Sequence, residues 1–177
     1  MSRSAEKLIF VSLFGIMYLS RTIFGDEMRL HQHIIASVAF SGGIYGITGS
    51  KSIALASFVT GVLLDLDHVT DYWLEHPLSL NVPHFFEMVD ACKLRKTHLW
   101  LHSLEMLIPL AVAVWLSKSA ILLGISIGFA QHMLFDCLFN FIYPGSYFLA
   151  YRIQKGFKSE CVFVLPEGYH ETEKDIK

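Results

Sequence analysis

Apolar residues gather into five runs, Leu8 to Phe24, Ile34 to Thr48, Ser52 to Leu64, Met106 to Ser117 and Ser119 to Tyr143, divided by charged or Gly/Pro-rich segments. None of them alternates with the period of two that a half-buried strand requires, and no Asn-Gly turn marks a hairpin. The pattern therefore predicts five helices. Gly49-Ser50-Lys51 is a tight turn, and Lys118 with its flanking serines is another. The second and third helices, and the fourth and fifth, should then be antiparallel neighbours. Pro109 within the fourth run either kinks that helix or marks its first turn. Small residues crowd the second run (Ala36, Ser37, Ala39, Ser41, Gly42, Gly43, Gly46, Gly49) and recur in the third (Ala54, Ala56, Ser57, Gly61). Both read as faces for close helix approach.

Composition moves this helical picture toward the membrane. Of 177 residues, 53% are hydrophobic and 17% charged, with a mean hydropathy of +0.46, whereas soluble domains are nearer about a quarter charged. The runs are short against the roughly 20 apolar residues of a bilayer span, so spanning requires tilt or extension by interfacial residues. The expected fold is all-α, a multi-spanning membrane bundle of about five helices forming a single domain over 1–177. Within it, 147–177 is a basic, aromatic segment lying at the interface, followed by a polar tail. Arg3 and Lys7 before Leu8 to Ser20 resemble the start of a secretory signal, but Ser20-Arg21-Thr22 is a poor cleavage site, so the first helix reads as retained. If all five helices span, one side collects Arg21, Arg29, Lys93, Arg95, Lys96, Arg152, Lys155 and Lys158 with the tail lysines. The Lys/Arg rule puts that side in the cytoplasm, giving a multi-pass protein of the inner (cytoplasmic) membrane. Trp73, Trp100, Tyr72, Tyr143, Tyr147 and Tyr151 flank the apolar runs as boundary aromatics do.

Charge and cysteine usage close off other classes. A net charge of −2 does not indicate a nucleic-acid surface. Cys92, Cys137 and Cys161 are odd in number and contain no Cys-x-x-Cys pair, so they read as free thiols rather than a disulfide framework or thiolate zinc knuckle.

The chemistry lies where the polar residues interrupt the apolar runs. His33 opens the second helix, Asp65-Leu-Asp67-His68 closes the third, His98 to Glu105 opens the fourth, and His132 and Asp136 sit late in the fifth. Carboxylates and imidazoles are costly beside apolar helices, so their gathering at helix ends on one membrane face reads as a metal site facing the cytoplasm. His98/His102 and His132/Asp136 have the i, i+4 spacing that places two ligands one turn apart on a helix. Asp65 and His68 can share a face, leaving Asp67 to orient a ligand or serve a second metal. Nitrogen and oxygen donors without thiolate favour zinc, with manganese or iron behind it. The candidate ligands are His33, Asp65, His68, His98, His102, His132 and Asp136, enough for two or three ions, with Asp65 or Asp136 bridging. Asp65, Asp67 and Glu105 are the candidate catalytic residues, Glu105 as a ligand, a general base or an acceptor orienting an imidazole. Cations about 3.5–4 Å apart suit displacement at phosphorus, so a phosphoester, plausibly of a membrane lipid, is the expected substrate. Arg95 and Lys96 are better matched to lipid headgroups. His76 and His84 lie between the motifs in a segment broken by Pro77 and Pro83; His84 is a weaker ligand candidate or an interfacial residue, and His31 and His170 receive no role.

Three segments also carry a family resemblance. Gly61-Val-Leu-Leu-Asp65-Leu-Asp67-His68, His102-Ser103-Leu104 and Gly128-Phe-Ala-Gln-His132-Met-Leu-Phe-Asp136 resemble the Pro-Asp-Ile-Asp-His, Thr-His-Ser and Gly-x-x-x-His-x-x-x-Asp motifs of the membrane-bound metal-dependent hydrolases. That family includes the LexA-regulated inner-membrane type and is distantly similar to zinc-dependent phospholipase C. The resemblance spans roughly residues 31 to 145, and the order of the motifs carries it. It implies metal binding by Asp65, His68, His102, His132 and Asp136, and hydrolase activity. Leu64 stands where that family has proline, and Thr97-His98-Leu-Trp-Leu-His102-Ser replaces its His-Arg-Gly-x-Thr-His-Ser element, so the implication is firmer for His102 than for His98. Two readings of another class stay open beside hydrolysis: a non-catalytic membrane protein with a structural metal site, and a metal-ion transporter.

Overall fold

The computed structural model describes residues 30–140, 142–143 and 145–164. The expected first helix, its leading charges, His170 and the polar tail lie outside these residues. The described chain is all-helical with two isolated bridge pairs and no strand, and it divides into two compact units.

The first unit contains α1 (Leu30–Thr48), α2 (Lys51–Leu63), α5 (Leu107–Ser117) and α6 (Ala120–Phe139). Its turns form for local reasons. Gly49 takes a left-handed φ of 64°, after which the Ser50 hydroxyl caps α2 by accepting from the Ile53 N–H. Lys118 ends α5 in the left-handed region, and Ser119 caps α6 by accepting from the Leu122 N–H. Pro109 falls in the first turn of α5, where its missing N–H leaves no gap in the ladder. Helix α2 packs on both α1 and α6, and α5 packs on α6.

Close approach in this unit is made by Gly61 of the small-residue pattern, where a Cβ would lie 2.5 Å from Ser37 Oγ, and by two glycines of α6 outside that pattern. A Cβ on Gly128 would run into the Ser57 carbonyl, and one on Gly124 would lie 2.5 Å from the Ile53 carbonyl oxygen. Gly42, Gly43 and Gly46 of α1 instead have nothing within 4 Å among the described residues. The α1 positions that do turn inward are His33, Ser37 and Ser41, one helical turn apart, so the serines and not the glycines form its packing face.

The unit is inverted in polarity relative to a water-soluble bundle. Its interior holds Ser37, Ser41, Ser57, Gln131, His132 and Asp136, while Ile35, Ile47, Leu55, Ile108, Trp115 and Leu116 are exposed. An apolar exterior over a polar seam is what a lipid solvent selects. The helical stretch Lys51–Glu75 and helix Ala120–Phe139 are long and apolar enough to cross a membrane, and Leu104–Ser117 is a shorter apolar helix.

The second unit contains α3 (Asp67–Glu75), α4 (Val82–Asp90) and α7 (Leu149–Gln154), with irregular chain between them. Asn81 caps α4 by accepting from the His84 N–H, with Pro83 in the first turn. Tyr72 is fully buried against Phe85 and His84. Helices α3 and α4 were not among the five apolar runs, because their sequences mix charge, histidine and proline. The segment from Thr97 to Ser103 is not helical, and Leu99 within it has a φ of 46°. The expected helical i, i+4 pairing of His98 with His102 is therefore corrected: a left-handed residue between them breaks any continuous turn.

Gly128→Ala should destabilise the protein by roughly 1–3 kcal/mol through overpacking against the Ser57 backbone. Gly42→Ala should be neutral or stabilising by up to about 1 kcal/mol, since a helix-interior glycine in open space loses more entropy than alanine. Thermal unfolding in detergent compares the two directly.

Candidate metal centre

Among the described residues, two groups of three side chains meet the geometric demand for holding a cation, and each lies inside one unit. In the first unit these are His33, His132 and Asp136; in the second, Asp65, His68 and His102. Within each triad the ligand atoms lie within 4.8 Å of one another.

The first triad is assembled from α1 and α6. His132 and Asp136 project from one face of α6, one turn apart, and His33 comes from the first turn of α1. The His33 and His132 rings stack, with centroids 4.1 Å apart and planes 17° from parallel. His33 Nε2 lies 3.1 Å from Asp136 Oδ1, and His132 Nε2 lies 3.4 Å from Asp136 Oδ2. Asn140, one turn further along, donates to Asp136 Oδ1 at 3.1 Å. On its other side the His132 ring meets the Gly61 carbonyl oxygen, with Nδ1 at 2.8 Å.

That last contact decides what the site can hold. A carbonyl oxygen has no hydrogen to give, so Nδ1 of His132 is the donor. In the neutral imidazole Nε2 is then an acceptor, and it faces a carboxylate oxygen. Acceptor against acceptor is repulsive unless a second proton or a cation stands between them. A carbonyl that fixes the tautomer and aims Nε2 inward is also the usual outer partner of a metal-bound histidine. His33 Nδ1 is buried with no hydrogen-bond partner among the described residues, a further polar atom that a dry, purely structural core leaves unexplained.

The second triad obeys the same logic with a carboxylate in place of the carbonyl. His102 Nδ1 lies 3.3 Å from Asp67 Oδ2, while its Nε2 lies 3.5 Å from Asp65 Oδ1. The His68 ring stands edge-on to that of His102, with centroids 5.3 Å apart. Asp65 sits in a 3-10 turn, Leu64–Leu66, whereas Asp67 and His68 begin α3. Asp67 is thereby turned away from Asp65 and bonds the outer nitrogen of His102. Its Oδ2 also accepts from the Leu101 N–H at 2.7 Å.

The triads differ in exposure. The side chains of His33, His132 and Asp136 are at most 4% exposed, whereas that of Asp65 is 20% exposed. His68 is half-buried. The first triad is fully enclosed and the second is partly exposed.

His98 and Glu105 belong to neither triad. His98 Nδ1 lies 2.9 Å from Asp71 Oδ1, and its ring stacks on Trp100 and leans on Phe157. Glu105 Oε1 accepts from the Ala150 N–H at 3.2 Å. Burial pushes its carboxyl up, but backbone N–H donors from Glu105, Leu149 and Ala150 and the Arg152 charge outweigh this and hold it below the usual range. A carboxylate so stabilised is a poor proton acceptor and a good anchor for α7. His84 Nδ1 lies 2.8 Å from the Tyr72 hydroxyl, and His76 packs edge-on against His84. Arg95 is exposed and lies 3.7 Å from Glu75.

Two residues central to the second site went unnoticed in the sequence. Asp71, one turn after Asp67, is buried and accepts from the His98 and Leu99 N–H groups at 2.7 and 3.0 Å. Its i, i+4 spacing from Asp67 was the available signal. Arg152, grouped with the basic-side charges and the interfacial segment, is instead fully buried. Three of its four partners lie about fifty residues away in the chain, and no local pattern points to them.

No protein-family model, no curated protein and no solved structure matches the chain.

Asp67→Asn keeps the shape of the second triad but weakens the acceptor on His102 Nδ1. Its affinity for Zn²⁺ should fall about 10–100-fold, as loss of an outer histidine partner usually does. Competition with a chromophoric chelator measures this; unchanged affinity would show that Asp67 does not orient the ring.

Proposed function

We propose that the protein is a membrane-embedded, metal-dependent hydrolase acting on phosphoesters, with phospholipid as the natural class of substrate. The observation that carries this reading is the partly exposed triad Asp65, His68 and His102, in which His102 Nε2 faces a carboxylate oxygen while its Nδ1 faces Asp67. Three nitrogen and oxygen ligands with access for a further one is the donor set of a catalytic zinc site; closed sites are structural. A divalent cation there supplies Lewis acidity and neutralises phosphate charge. Asp65, His68 and His102 hold it, and Asp67 fixes the His102 tautomer. Zinc fits these donors best.

The buried triad His33, His132 and Asp136 favours a second role alongside the first. With every ligand buried, it has the closed character of a site that stabilises the helix pair. Binding of an ion to the folded state alone would add stability by mass action. This is the structural-metal reading confined to one unit.

The two apolar stretches long enough to span and the exposed leucines and isoleucines support an integral membrane protein. We assign it to the inner membrane as a multi-pass protein with the site on the cytoplasmic side, following the distribution of Lys and Arg. Lipid is then both solvent and nearest source of phosphoester. The resemblance of the Asp65, His102 and His132 segments to membrane-bound metal-dependent hydrolases points the same way.

Purified protein should contain divalent metal and cleave bis(p-nitrophenyl) phosphate. A strong chelator should abolish turnover and Zn²⁺ should restore it. Asp65→Ala should lose turnover without loss of fold, whereas Asp136→Ala should chiefly lower the unfolding temperature. A metal-loaded protein inert on a broad phosphoester panel would rule out the hydrolase reading. Separately, the chain should stay in the membrane fraction through alkaline carbonate extraction, and release into the supernatant would exclude an integral protein.

A further inference from the structure

His102 sits on the irregular segment from Thr97 to Ser103, which has no helix or strand to hold it. Such a segment must find other partners for its backbone polar groups; some are met by backbone, as where the His102 N–H donates to the Leu99 carbonyl and the Ser103 N–H to the Leu101 carbonyl, and side chains meet groups of both polarities besides. The N–H groups of His98 and Leu99 go to Asp71, and those of Leu101 and His102 go to Asp67. Two of the carbonyls, those of Leu99 and His102, go to one side chain, Arg152. Arg152 Nη1 donates to the His102 carbonyl at 3.0 Å and to the Ser146 carbonyl at 2.5 Å. Its Nη2 donates to the Leu99 carbonyl at 2.8 Å and to Ser103 Oγ at 2.6 Å.

We propose that Arg152 is a positioning residue for the second metal site, holding His102 in register with Asp65 and His68, and that α7 with its flanking chain exists to deliver that guanidinium. This rests on the metal reading of the triad. Three features support it. The guanidinium is fully buried, and both of its terminal nitrogens donate twice, leaving only Nε without a partner among the described residues; a buried arginine is rare unless it is paired in this way. Its grip falls on both residues flanking the turn: Leu99, whose φ of 46° is sparsely populated without glycine, and the ligand His102 itself. The chain around it is tied to the same segment elsewhere, with the Thr97 N–H donating to the Phe157 carbonyl at 2.8 Å and Thr97 Oγ1 lying 2.6 Å from Ser159 Oγ. A planar fork meets four oxygens on two pieces of chain; an ammonium group on a flexible stem does not reproduce it.

Arg152→Lys in the full-length protein, titrated with Co²⁺, tests this. His102→Ala and Asp136→Ala identify the absorption bands of the two triads. The lysine variant should weaken the band lost in His102→Ala by about 10–100-fold in affinity and keep the band lost in Asp136→Ala. Methylguanidinium added to Arg152→Ala should restore part of the lost affinity, which a merely space-filling role would not allow. If Arg152→Lys fails to fold, Ser103→Ala removes one of the four contacts and should weaken the same band alone, by several-fold. Wild-type affinity in a folded Arg152→Lys, or in Ser103→Ala where that variant is needed, overturns the positioning role. A wild type that takes up no metal overturns the metal reading as well, and the two failures are thereby told apart.

Discussion

An imidazole with a fixed donor on one nitrogen and a carboxylate facing the other is the constraint from which the rest of this structure follows. Gly61 offers His132 a carbonyl at 2.8 Å, and Asp67 offers His102 a carboxylate oxygen at 3.3 Å. In each case the remaining nitrogen points at an aspartate. Neither arrangement is neutral in energy. A buried acceptor facing an anion is costly unless positive charge occupies the gap, either a proton or a metal ion, and most so in the first triad, where the aspartate is buried as well. Two unrelated pieces of local structure, one helical and one irregular, arrive at the same arrangement. Coincidence of two interfacial histidines is a poor account of that.

The same constraint explains the packing of the first unit. Bringing Gly61 close enough for its carbonyl to meet His132 requires α2 and α6 to approach at backbone distance, and that is where Gly124 and Gly128 lie against Ile53 and Ser57. Ser37 donates to Gln131 Oε1 at 3.3 Å on the same seam. Polar side chains inside and leucine and isoleucine outside are the arrangement that a lipid solvent would select. In lipid, the hydrophobic effect does not draw apolar side chains inward, so packing of small residues and internal hydrogen bonds hold the helices together.

What the chain reveals before folding depends on how local the determinant is. Helices α1, α2, α5 and α6 were legible because each is a run of apolar residues closed by a glycine or serine turn, and those signals act within four or five residues. His132 and Asp136 were legible for the same reason, being one turn apart on such a run. Helices α3 and α4 were not, because their stability comes from Tyr72, His84 and Phe85 packing together rather than from an apolar period. The helical pairing assigned to His98 and His102 failed where spacing alone was trusted: Leu99 turns left-handed because Asp67, Asp71 and Arg152 hold the backbone there. The role of Arg152 was illegible in principle, since a lone arginine beside aromatic residues reads as an interfacial anchor until its four partners are in place.

The way each triad is built also bears on what it does. Where all three ligands stand on regular helices and are buried, the helical hydrogen bonds already fix the backbone, and little further support is needed. Such a site is rigid and shut. His102 instead rides on a stretch of chain that two acids and one guanidinium must hold in place. Burying those charged groups is expensive, and a purely structural ion would gain nothing from it. The expense is intelligible if the ligand has to stand beside a partly exposed position with its orientation fixed, because reactive geometry tolerates displacements of only about half an ångström. Exposure of Asp65 beside an imidazole whose Nδ1 and backbone are both held is the combination that supports the proposed chemistry at this triad rather than simple retention of a cation.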